Sequence, residues 1–160
     1  MKQRHFVVLL LLIFALLFAL RFIHLTADPP YNLSPSGGPW GDPGGYSFNA
    51  RNKILFDTWE VDDYNMMYTS FPPHVVTYAF FRVFGIGFAQ QNAVPALFSC
   101  LSLIFFFLIL RRRFDDRIAL VGSLLLGLNY TFLMFSRIAN REMPTIFFLI
   151  LGVYLLERSE

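Results

Sequence analysis

Long apolar runs separated by short polar breaks dominate this chain. The first covers residues 6–25, interrupted by Arg21 near its far end. At 1.5 Å per residue, roughly 20 residues cross a hydrocarbon layer of about 30 Å, so this run predicts a first transmembrane helix. A second span is predicted from Asn92 to Leu110, directly before Arg111, Arg112 and Arg113. A third, residues 118–135, follows a tight turn at 114–116. The fourth, residues 145–156, comes after Pro144, whose fixed φ suits a first helical turn; it is short for a full crossing. Residues 74–88 are also apolar, but the run is short and carries Arg82, which predicts an interfacial helix rather than a span. The pattern as a whole predicts an all-α membrane protein with about four transmembrane helices and juxtamembrane amphipathic helices in the first outer loop. Its parts are a first transmembrane helix (1–25), an extracytoplasmic loop (26–91) and three further spans of an incomplete transmembrane domain (92–160).

Composition supports a lipid solvent. Hydrophobic residues make up 56% of the chain and charged residues 15%, against roughly 25% charged in an ordinary soluble domain. The mean hydropathy of +0.52 agrees. A net charge of +2 without a basic stripe excludes nucleic acid as a partner. The basic residues sit instead at the ends of apolar runs, where they orient a membrane protein. Lys2 and Arg4 keep the amino terminus cytoplasmic, and four crossings return Arg111–Arg113 and the carboxyl terminus to that side. Residues 26–73 then lie outside, carrying Asp28, Asp42, Asp57, Glu60, Asp62 and Asp63 but only Arg51 and Lys53 as bases. A cleaved signal peptide fits the same start, but the run is long for one and no small-x-small site closes it. Cys100 lies inside an apolar run and, as the single cysteine, forms no internal disulfide.

The outer loop holds the candidate chemistry, since a connection of this length is often functional. A turn cluster at 36–41 precedes Asp42-Pro43-Gly44-Gly45-Tyr46, and residues 47–59 predict a helix capped by Ser47 or Asn49. Phe48, Ile54, Leu55 and Trp59 form its membrane-facing side, with Arg51 and Lys53 set to meet headgroups or an anionic substrate. Asp42, at the membrane boundary, suits a general base toward a sugar hydroxyl; the same carboxylate also fits an Asx-turn that merely shapes the loop. Asp57, Glu60, Asp62 and Asp63 read as a solvated surface or as ligands of a divalent cation, without the spacing that marks such a site. His74 after Pro72-Pro73 is either a ligand or an interface marker. Trp59, Tyr64 and Tyr68 suit an aromatic belt. The sequons at Asn32 and Asn129 are weak, one followed by Pro35 and the other inside a predicted span.

A second polar cluster, Ser136-Arg137-Ile138-Ala139-Asn140-Arg141-Glu142-Met143-Pro144, falls on the same side by the parity of the spans. Arg137 and Arg141 suit a phosphate or diphosphate, and Glu142 a second acid. Salt-bridged interfacial charges give the same pattern.

In order along nearly the whole chain, several short stretches resemble the GT-C glycosyltransferases, closest to the bacterial family 39 type related to protein O-mannosyltransferases and lipid A aminoarabinose transferases. They are Asp42-Pro43-Gly44-Gly45-Tyr46, Asn49-Ala50-Arg51-Asn52, Trp59, Phe71-Pro72-Pro73-His74, Phe80-Phe81-Arg82-Val83-Phe84-Gly85, and Ser136-Arg137 through Glu142-Met143-Pro144. The resemblance implies transfer of a sugar from a polyprenyl-phosphate donor to a lipid or protein acceptor outside the cytoplasm, in a bacterial inner or plasma membrane. It implies a catalytic role for Asp42 and, beside it, for Glu142. Substrate contacts are expected from Tyr46, Arg51, His74, Arg137 and Arg141. Many members have Asp-Glu where this chain has Asp42-Pro43, so no second carboxylate is expected there. Members usually have more spans, which implies an amino-terminal portion, inactive alone or dependent on further spans or subunits. The competing reading is a non-enzymatic membrane scaffold or subunit whose outer loop binds a partner. A transporter is disfavoured, because no intramembrane acid or pair of broken helices marks a path.

Overall fold

The protein's structure, a computed structural model, describes residues 3–27, 42–60 and 65–159, with only the backbone for residues 3, 42–45 and 66. Every regular element among them is helical: α1 (Gln3–Phe22), α2 (Asp42–Phe56), α3 (Phe71–Phe84), α4 (Phe88–Arg113), α5 (Asp116–Leu128), α6 (Tyr130–Phe135) and α7 (Glu142–Ser159), with a 3₁₀ turn at Met66–Tyr68. Asp28, Asn32, the turn cluster at 36–41, Asp62, Asp63 and Tyr64 lie outside the described residues.

Among the described residues α1, with 20 residues, and α4, with 26, are long and apolar enough to cross a membrane. The other two expected spans differ. The third is broken: α5 has 13 residues, about 20 Å of helix, and ends before Asn129. There the backbone leaves the helical region, and the Asn129 side chain accepts a hydrogen bond from the Phe132 amide at 3.0 Å to start α6. An asparagine that caps a new helix competes with continuation of the old one. The fourth, α7, has 18 residues, with Glu142, Glu157 and Arg158 among them. Ionised groups at both ends shorten its apolar part.

Helix α4 is the common partner of the bundle, packing against α1, α3, α5 and α7. It runs antiparallel to α1. Phe6 and Leu10 pack near Phe107 and Leu110 at one end, while Leu25 meets Ala93 and Ala96 at the other. It runs parallel to α7, as Phe98 against Phe147 (centroids 5.3 Å apart) and Phe105 against Tyr154 (5.1 Å) show. In lipid, such aromatic packing replaces the hydrophobic drive that water gives a soluble core.

The two ends of the bundle differ in chemistry. At one end Arg111 pairs with Asp116 at 2.7 Å and Arg113 with Glu157 at 3.0 Å. Asp115 caps α5 there, accepting from the amides of Arg117 and Ile118. At the other end meet the carboxyl end of α1, the start of α4, the 136–141 turn and the start of α7. Helices α2 and α3 join them, because α2 packs on α3 and α3 on α4, and Ser47 Oγ donates to Gln91 Oε1 at 2.9 Å.

Candidate functional site

Helix α2 begins at Asp42 rather than after it, so the loop position expected for this residue is a first helical turn. The reason is local. An acidic residue is favoured at the positive end of a helix, and Pro43 has no amide to leave unsatisfied there. The face that α2 buries is polar: Tyr46, Ser47, Asn49, Ala50 and Asn52 are buried, while Phe48 and Leu55 are exposed and Trp59 lies beyond the helix end. Asn49 Nδ2 donates to the Trp59 carbonyl and to Asn65 Oδ1, and Asn52 Nδ2 donates to the Glu60 carbonyl at 2.9 Å. The Asn-Ala-Arg-Asn stretch is thus a clip that folds the following loop back onto its own helix. At the turn, Asp57 has a left-handed backbone (φ 55°) and is held by Lys53 Nζ at 2.6 Å from Oδ1. That hydrogen bond and charge keep its carboxyl below the usual carboxylate range.

The residues expected to touch substrate fall into three groups. Tyr46 and His74 are packed together across α2 and α3, with ring centroids 6.2 Å apart. His74 is fully buried, and its Nδ1 lies 2.8 Å from the Ser70 carbonyl, so it belongs to the interior of this end and not to its headgroup surface. Arg51 is half-buried; it stacks over Phe48 (4.5 Å) and donates to Asn52 Oδ1 at 2.9 Å. It borders a small groove with Phe48, Phe81, Ile86 and Phe88, a cation at the mouth of an apolar surface.

The third group is the 136–142 turn. Arg137 is buried and donates to the carbonyls of Leu20 (2.6 Å) and His24 (3.1 Å). A cation is well placed on carbonyls at and just beyond a helix carboxyl end. Arg141 is exposed; its carbonyl accepts from the Thr145 hydroxyl at 2.8 Å, but its guanidinium forms no hydrogen bond or ion pair among the described residues. Glu142 opens α7, and its buried Oε2 has no hydrogen-bond partner among them. The structure therefore brings Arg137, Arg141 and Glu142 together on one turn, with Tyr46 and His74 at the same end of the bundle. The Asp42 side chain lies outside what is described. Among the described residues no three His, Cys, Asp or Glu side chains converge to hold a metal ion.

Sequence reasoning passed over Arg21 except as an interruption. It is 0% exposed, and its guanidinium donates to Ser99 Oγ (2.7 Å), the Leu17 carbonyl (2.7 Å) and the Gly127 carbonyl (3.0 Å), lying 5.4 Å from the Phe132 ring centroid. One side chain ties α1, α4, α5 and α6 together at the break before Asn129. A charge inside an apolar run was the signal for it.

A sequence model of the dolichyl-phosphate-mannose-protein mannosyltransferase family matches residues 73–159. His74, Arg137, Arg141 and Glu142 fall inside the matched stretch. No curated protein and no solved structure is significantly similar to the chain.

Proposed function

Because this chain belongs to the dolichyl-phosphate-mannose-protein mannosyltransferase family, we propose that it serves in a membrane glycosyltransferase that moves a sugar from a polyprenyl-phosphate donor to an acceptor outside the cytoplasm. The observation that carries this reading is the exposed Arg141 beside Glu142, whose buried Oε2 has no partner among the described residues, at the end of the bundle that also holds Tyr46 and His74. A guanidinium without an internal carboxylate is suited to a phosphate oxygen, where a charge-assisted hydrogen bond is strongest. Arg137, anchored on the α1 carbonyls, adds fixed positive charge to the same turn. Arg51, at its apolar groove, suits a lipid that carries an anionic head.

In this reading Asp42 takes the proton from the acceptor hydroxyl as it attacks the anomeric carbon, and the lipid phosphate leaves toward Arg141. Glu142 orients the reacting groups from the start of α7. Tyr46 and His74 hold α2 against α3 and so set where Asp42 stands. The fourfold crossing uses α1, α4, the α5–α6 pair and α7. Residues 1–25 form the first span, 26–91 the outer loop and 92–160 the remaining spans, in a bacterial inner or plasma membrane with the amino terminus cytoplasmic. The active unit includes further membrane spans or a partner subunit.

The test is sugar transfer in membranes carrying the intact gene product. Loss of a general base costs about 10²–10⁴-fold, so Asp42→Asn should reduce kcat by at least the lower figure while the protein still inserts. Unchanged transfer would remove Asp42 from that role. Robust turnover by the 160-residue chain alone would overturn the need for further spans or a partner.

A further inference from the structure

A cleft of about 360 Å³ opens on the far side of the asparagine clip, between α2 and the residues that follow it. Its volume is within the range of about 300–1,000 Å³ usual for small-molecule sites. Asn49 and Asn65 contribute carboxamides, Trp59 and Tyr68 aromatic rings, and Asp57 and Glu60 carboxylates. We propose that this cleft binds a saccharide without a phosphate, neutral or amine-bearing, as the acceptor side of the transfer. Its place in the reaction rests on the glycosyltransferase reading above; its chemistry does not.

Charge removes the donor first. Among the described residues no basic side chain lines the cleft, and Lys53 is committed to Asp57. A lipid phosphate entering there would face the Glu60 carboxylate and an Asp57 carboxylate that already takes up Lys53, an arrangement that leaves it no unpaired cation among the described residues. A lipid tail suits the lining no better, because Met67 is the one aliphatic side chain among the described residues there.

A sugar ring fits what remains. Its C–H face packs on an aromatic ring, while its neighbouring hydroxyls donate to carboxylates and bridge amides, which both donate and accept. The receiving groups are already fixed. The Trp59 ring is packed against Tyr78, with centroids 5.2 Å apart, and the Trp59 carbonyl is held by Asn49. Asn49 is 1% exposed, and its Oδ1 has no hydrogen-bond partner among the described residues. An unsatisfied buried acceptor in a cleft wall is costly unless a donor arrives, and a sugar hydroxyl is such a donor. Tyr68 stands 81% exposed at the rim, free to close over a ring.

The position along α2 adds a length. Asn49 is seven residues beyond Asp42 on one helix, about 10 Å along its axis. A saccharide held at Asn49 and reacting at Asp42 must therefore extend past a single ring. The site should prefer a trisaccharide to a monosaccharide.

The chain has two tryptophans, Trp40 and Trp59, so a Trp40→Phe background leaves Trp59 as reporter. This protein, in lipid nanodiscs, is titrated with mannotriose, maltotriose, chitotriose and methyl α-mannoside, and in parallel with mannose 1-phosphate and a Ser/Thr-rich peptide. The expected result is a saturable change in Trp59 fluorescence with at least one trisaccharide, weaker with the monosaccharide. Tyr68→Ala, at an exposed position that folding tolerates, should weaken it roughly three- to tenfold, the worth of one aromatic contact. Glu60→Gln should weaken it also. No saturable change with any trisaccharide, an unchanged affinity in both variants, or preference for the sugar phosphate or the peptide would overturn the proposal. Binding of polyprenyl phosphate to the same nanodiscs separates the two readings: lipid binding without saccharide binding sinks the cleft alone, and loss of both sinks the glycosyltransferase reading with it.

Discussion

Arg21 and Arg137 carry charge into a largely apolar bundle, and backbone carbonyls accept hydrogen bonds from both. Both spend their donors on carbonyls and a hydroxyl that the fold leaves open: Gly127 near the end of α5, Leu20 and His24 around the end of α1, and Ser99 within α4. The Gly127 carbonyl lies where α5 stops, so no following turn supplies its amide donor. Replacing Arg21 by Met should therefore leave that carbonyl bare and cost about 1–3 kcal/mol, read as a lower unfolding midpoint in detergent. Arg21→Lys should recover only part of it, since an ammonium lacks the planar fork that reaches three acceptors at once. A rise in stability with Met would mean that burying the guanidinium is itself the larger cost.

At the scale of elements, α1 and α5 approach closely at Gly127. A Cβ added at Gly127 would come within 2.8 and 2.9 Å of the Leu17 methyl carbons, and Leu17 is fully buried. Small residues let membrane helices approach this closely. Gly127→Ala should destabilise the protein by about 1–3 kcal/mol through overpacking. Leu17→Ala in the same chain should return part of that loss, a coupling that a double-mutant cycle measures directly. Additive losses would mean that the two helices do not meet at this point. The α5–α6 break belongs to the same scale. Hydropathy reads residues 118–135 as one apolar run, because averaging over a window hides a single Asn129. The break is decided by whether the Asn129 side chain caps the next turn, and hydrogen-bond geometry alone answers that.

For the whole molecule, the sorting of charge to opposite ends is the most consequential feature. Arg111, Arg113, Asp116 and Glu157 pair at one end, and Arg137, Arg141 and Glu142 gather at the other. If the bundle crosses the membrane with Arg111–Arg113 inside, a membrane-impermeant maleimide should label Arg141→Cys in intact cells. Arg112→Cys should react only after permeabilisation, both in a Cys100→Ser background. The reverse pattern would invert the protein and place the candidate site in the cytoplasm.

The linear order of residues was enough for much of this. Apolar runs have the length that lipid demands, so the helical class, α1, α4 and the clustering of arginines at run ends are legible without coordinates. The acidic and basic residues of the candidate site were legible too, since charges stand out against an apolar background. The partners of those charges were not. Arg21 meets Ser99 across 78 positions and Arg137 meets Leu20 across 117, and no local periodicity encodes a contact at such separation. Tertiary packing alone decided that Arg137 holds the end of α1 while Arg141 stays exposed, and that Asn49 and Asn52 fold a loop into a cleft. The physical reason is the same in each case: a buried donor or acceptor must find a partner wherever the chain brings one, and only the folded arrangement of helices determines which one it is.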